Sequence, residues 1–138
     1  MNPRVAHVGD VAVVTPEGML LGGAETVALE AAVRQLLDGG QRKVLLDLRR
    51  TQHLSSNPIG VLIGLQVSAQ GRGAAFHVCN ADKKIRNVLS LLRVVEVLRV
   101  FDTTEEAMRA FAALGPPPPR AVPPGSSGRG GEGLRPVP

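Results

Sequence analysis

The chain has 138 residues, room for one domain of about 110 residues and a tail. Apolar residues make up 43%, with no Trp or Tyr and three Phe, so a core can form while the aromatic platforms that stack single-stranded bases are missing. The formal net charge is +4, half of it carried beyond Gly115, and no dense basic stripe of the kind that marks a nucleic-acid surface is present.

The first strand is expected at Arg4–Val8, followed by "VAVVTPEG" (11–18), which is β-rich and ends in a turn, and by the short apolar run "MLLGG" (19–23). The period then changes. Across 24–40, Leu29, Ala32, Val33, Leu36 and Leu37 recur at three- and four-residue spacing, and Gly39-Gly40 stops the helix. "KVLLDL" (43–48) predicts a central strand covered on both faces. "RRTQHLSS" is expected to be a loop. Pro58 suits the first turn of a helix, which makes Asn57 the expected N-cap of a helix running to about Gln70.

"AAFHVCN" (74–80) predicts another buried strand, with Asn80 capping a helix over 81–94. "VLRVF" (97–101) is a short strand. Thr103 and Glu106 are spaced as a capping box for a last helix over 102–114. From Gly115 the Pro/Gly/Ser-rich sequence cannot build a core and is expected to be a disordered tail. The domain division is therefore 1–114 and 115–138. The fold class is α/β, with a mixed sheet of four to five strands and about four helices.

Chemistry-bearing residues are sparse. Cys79 lacks a disulfide partner and sits in a strand, so a buried, inert thiol is expected. Three His without a close Cys or His partner make no metal site, and no cofactor is expected. His53 lies near Ser55, but no nucleophile elbow or oxyanion loop surrounds them, so no catalytic residue is assigned. The N-terminal stretch lacks the apolar core of a signal peptide and no apolar run reaches membrane-spanning length, which points to a cytoplasmic protein without membrane insertion.

The stretch "LSSNPIGVLIG" (54–64) stands apart. From Thr51 to Gly71 there is no Asp, Glu, Lys or Arg. On a helix, Val61 and Leu65 lie on one side while Ile63 and Val67 lie roughly opposite. A helix with one face on a sheet cannot bury both pairs. One pair is therefore expected to be exposed beside Gly60 and Gly64, as an uncharged strip open to a partner.

"KVLLDL", the loop after it and "LSSNPIGVLIG", together with "GRGAAFHVCNADKKIRNVLSLLRVVEVLRVFDTTEEAM", resemble the STAS domain of bacterial anti-sigma factor antagonists, over roughly residues 5–114. In that family an Asp-Ser-Ser/Thr-Gly-Leu-Gly motif opens the apolar helix, and an anti-sigma kinase phosphorylates a hydroxyl in it. Counted back from Gly60, Ser55 falls on the family's Asp, Ser56 on the first Ser, Asn57 on the phosphoacceptor and Pro58 on the Gly. A one-residue slip would make Ser56 the acceptor.

The resemblance implies a partner, a histidine-kinase-like anti-sigma factor, gripped through Ser55, Ser56, Asn57, Pro58, Gly60, Val61, Gly64 and Leu65. It also implies a supporting acidic neighbour, Asp47, although a carboxylate that only pins the following loop is an equal reading. An amide at position 57 takes no phosphoryl group, so binding would not be switched off there. The alternative is a STAS structural subunit of a lipid-transport ABC system or of a stress-signalling assembly. Neither the partner's identity nor the oligomeric state is written in the sequence.

Overall fold

The structure, a computed structural model, describes residues 3–94 and 97–114. The chain opens as a hairpin: β1 (Arg4–Val8) and β2 (Val11–Thr15) run antiparallel, joined by Gly9 and Asp10. Gly9 has φ +61°, the sign that a type II′ hairpin turn demands at its first position and that glycine adopts without strain. After β3 (Gly18–Leu20), α1 (Ala24–Asp38) turns Leu29, Val33 and Leu37 inward at helical spacing.

β4 (Lys43–Asp47) is buried along its whole length. β2 and β6 (Ala75–Cys79) flank it, both parallel to it. β7 (Arg99–Phe101) adds to β6. The remaining helices are α2 (Ser56–Gly71), α3 (Lys83–Leu91) and α4 (Thr104–Ala113). Among the described residues this is a mixed five-stranded sheet in the order β1-β2-β4-β6-β7 with four helices, the α/β architecture anticipated above.

Side chains alternate across the sheet, so each strand feeds two cores. On one face Val14, Val44, Leu46 and Phe76 pack with α1, α2 and α3 through residues such as Val33, Leu62 and Leu89. On the other face Val11, Leu45 and Cys79 meet Ala107 and Phe111 of α4. His77 lies on this second face and stacks on Phe111, with 4.2 Å between ring centres.

Three local expectations are corrected. Residues 51–54 are not loop but β5 (Thr51–Leu54), paired in parallel with β3 as a separate two-stranded sheet. Asn80 does not cap α3. It adopts a left-handed conformation, φ +60°, and the cap is Asp82, whose Oδ1 accepts from the Ile85 N–H at 2.8 Å. Asn57 does not cap α2 either, as described below. The α4 cap is as anticipated: Thr103 Oγ1 accepts from the Glu106 N–H at 3.1 Å, and Glu106 Oε1 accepts in return from the Asp102 N–H at 3.1 Å. The Pro/Gly/Ser-rich segment from Gly115 lies outside the described residues.

Candidate functional site

The start of α2 is built by a long-range clamp. β5 carries the chain up beside β3, and the Ser55 N–H donates to the Leu20 carbonyl at 3.0 Å. Ser55 is the N-cap in extended conformation, and its side chain makes no capping hydrogen bond. Ser56 and Asn57 follow as the first two helical residues, both exposed, and buried Pro58 is the third. Proline is tolerated there because the first four helical N–H groups have no partner within the helix. That tolerance covers several positions, which is why Pro58 did not mark Asn57 as the cap.

The first turn of α2 contains no acidic residue. Uncapped N–H groups and the positive end of the helix dipole therefore face outward, beside the Asn57 amide. Behind it the exposed surface is Gly60, half-buried Gly64, Val67 and Gly71, at four- and three-residue spacing along one stripe. A methyl group added at Gly60 or Gly64 would meet nothing within 4 Å, so this stripe is open and smooth.

The two opposed pairs do not divide as anticipated. Leu65 is 0% exposed, Val61 and Ile63 are half-buried against the main core, and Val67 alone is exposed, at 59%. The cause is a second helix. α1 lies alongside α2, and Arg34 Nη1 donates to Ser68 Oγ at 3.0 Å. Flanked as well as backed, α2 buries or half-buries ten of its sixteen residues. Leu65 is thus a core residue that no partner reaches in this conformation, and Val67 takes its place as the exposed apolar side chain.

Sequence reasoning also missed the second half of this surface. The β3–α1 loop presses on Asn57: a Cβ at Gly22 would fall 2.9 Å from Asn57 Oδ1. Gly22 has φ +93°, and its N–H donates to Thr26 Oγ1 at 3.0 Å. Met19 and Leu21, on this segment, are about half exposed. The available signal was "MLLGG" itself, an apolar run with a glycine pair too close to the next helix to be an ordinary strand end.

Asp47 belongs elsewhere. Position 47 lies on the α4 face of β4, whereas α2 covers the opposite face. Its buried carboxylate accepts from the Arg49 N–H at 3.0 Å, from Arg49 Nε at 2.7 Å and from Asn80 Nδ2 at 3.0 Å. Asn80 Nδ2 also donates to Thr104 Oγ1 at 2.8 Å. None of these partners is in α2, and the loop-pinning reading of Asp47 describes the contacts. Cys79, beside this cluster, is buried, and burial pushes its thiol up to about 11, which leaves little thiolate for chemistry. Among the described residues no group of three or more His, Cys, Asp or Glu could hold a metal, and no helix is long and apolar enough to cross a membrane.

The STAS domain family profile matches residues 2–107. A relative from Thermotoga maritima, described as an anti-sigma factor antagonist, is 28% identical over 74 residues, covering 54% of this chain. The match spans 66% of that relative's length, just under two thirds. The crystal structure of a T. maritima anti-sigma factor antagonist superposes with a TM-score of 0.72 at 25% identity, covering 78% of this chain and 92% of that one. The Bacillus cell fate determinant SpoIIAA in its phosphorylated form shares the fold, with a TM-score of 0.62 at 16% identity over 81% of this chain and 98% of that one.

Proposed function

This chain belongs to the STAS domain family, and from that premise we propose that it is an anti-sigma factor antagonist that docks a kinase-type anti-sigma factor on the start of α2 and is not switched off at position 57. The observation that carries this reading is the exposed first turn of α2, which has no side-chain cap; the ungapped count back from Gly60 assigns Asn57 to the family's phosphoacceptor position, with Ser56 as the alternative. The docking surface comprises Ser55, Ser56, Asn57, Gly60, Gly64 and Val67, with Met19 and Leu21 of the neighbouring segment beside them. It is uncharged and partly apolar, the composition of an interface core. The T. maritima relative is itself described as an anti-sigma factor antagonist, which does not favour the transport-subunit alternative.

Position 57 sets the regulation. A phosphoryl group on a hydroxyl there would add nearly two negative charges. The helix end would accommodate that charge, while a partner pressed on the same surface would be repelled. The Asn57 amide keeps the surface in its unmodified state.

Incubation with a cognate kinase-type anti-sigma factor and ATP, followed by intact mass measurement, tests this. No phosphate should appear on the native chain, and Asn57→Ser should gain one. A stoichiometric phosphate on Ser55 or Ser56 would overturn the non-switching reading. Binding is tested separately with Val67→Asp. Affinity should fall by at least about tenfold, or 1.4 kcal/mol, with the melting temperature nearly unchanged. Leu65→Asp should instead collapse the fold. Unchanged affinity for Val67→Asp would move the docking surface off α2.

A further inference from the structure

The sheet has two rims, and they differ. β7 is three residues long. β1 has five residues, all exposed, with no proline or bulge among them, and among the described residues no strand lies on its outer side. A long, regular, open edge is a template for another strand.

The hairpin determines which backbone groups that edge offers. Two residues, Gly9 and Asp10, connect β1 to β2, so Val8 and Val11 form the closing hydrogen-bonded pair. Alternation makes Ala6 and Arg4 the next residues to bond with β2. The N–H and C=O groups of Val5 and His7 therefore point away from the sheet.

We infer that this edge pairs antiparallel with the β1 edge of a second copy, about a two-fold axis through Ala6. Symmetry limits the registers. An axis at Val5 would set His7 against Pro3 of the second copy, which has no N–H to give. An axis at His7 would set the two His7 side by side and send Val5 against Gly9, beyond the strand. The axis at Ala6 sets Val5 against His7 of the second copy and His7 against its Val5. All four outward N–H groups are then used.

The side chains fit the same register. Arg4 falls opposite Val8 of the second copy and Ala6 opposite Ala6, so no like charges face each other and the smallest side chain sits on the axis. Val5 and Val8, 41% and 51% exposed, are covered. Next to the edge, α1 offers small or uncharged side chains: Ala28, Ala31, Ala32 and Gln35 line a hollow of about 260 Å³ with Pro3. β1 is two strands from β4, so the start of α2 stays open in both copies. This inference is independent of the proposed partner.

Cysteine cross-linking of the full chain tests the register. A non-hydrogen-bonded antiparallel pair has Cα atoms about 4.5 Å apart, within disulfide range. Ala6→Cys should cross-link to a covalent dimer under mild oxidation. Val8→Cys should not, because it lies roughly 13 Å along the strands from its own copy. The buried Cys79 should stay reduced in both. Light scattering on the native chain should give twice 14.5 kDa at tens of micromolar; His7→Pro, which removes the outward N–H along with the imidazole, should give a monomer with an unchanged circular dichroism spectrum, while His7→Ala, which keeps that N–H, should remain a dimer. A native chain that is monomeric at millimolar concentration would overturn the inference. So would a dimer in which Val8→Cys cross-links as readily as Ala6→Cys.

Discussion

The starts of α2 and α4 are opposite solutions to one problem. Every helix leaves four N–H groups without partners at its first turn. At α4 the protein closes the turn with its own side chains: Thr103 accepts from the Glu106 N–H, Glu106 accepts in return from the Asp102 N–H, Glu105 and Glu106 meet the helix dipole, and Thr104 is bonded to Asn80, which is bonded in turn to the buried Asp47. At α2 nothing of the kind is present. Ser55 makes no side-chain cap, the first turn has no acid, and Ser56 and Asn57 face solvent. The first end is closed by its own chain, and the second is held in place by backbone contacts and left available.

Substitutions can break this contrast, the largest effect coming at the closed end. Asp47→Ala strips a buried carboxylate from Arg49 and Asn80 and should cost about 3 kcal/mol of unfolding free energy by denaturant melt; a cost below about 1 would mean that the α4 cluster is decorative. Gly22→Ala forces an L side chain into φ +93° and drives a methyl group at Asn57. It should cost about 1–2 kcal/mol and, unlike Asp47→Ala, should also move the Asn57 amide resonances. Thr103→Ala should cost about 1 kcal/mol, whereas Ser55→Ala should cost under about 0.5, since only Thr103 makes a capping bond. Equal costs at the two positions would erase the contrast.

Acidity supplies the gentlest probe. His77 is buried under α4, and its pKa is lowered: burial outweighs the opposing contact with the Phe76 backbone, and Arg99 lowers it further. The unfolded chain therefore binds the proton more readily. Stability from this residue is intact above about pH 6.5, the unperturbed value, and declines as pH falls below it. The melting temperature of His77→Phe should fall less between pH 7 and pH 5 than that of the native chain; an identical fall in both would clear His77 of any role.

Much of the scaffold was legible because periodicity records burial. The inward stripe of α1, the apolar centre of β4 (Val44, Leu45, Leu46) and the Thr103–Glu106 cap each follow from local spacing. What escaped depends on contacts distant in sequence. β5 is four residues long, buried only at its ends, and exists because β3, more than thirty residues earlier, lies beside it. Asn80 has the side chain of a cap, but Asp82 stands closer to the helix and Asp47 claims the amide. The candidate surface showed in outline as the uncharged run over 51–71. Its exposed residue was not, because the hydrophobicity of Leu65 and Val67 is similar and only the flanking position of α1 separates them. Gly22 gave no local sign that its lack of a side chain makes room for Asn57.

The bareness of α2 has a further result. A contact surface without ionised side chains offers dissolved salt almost nothing to screen, so whatever settles there should hold as firmly in brine as in dilute buffer. Its grip would instead weaken in the cold, as contacts driven by the release of water do.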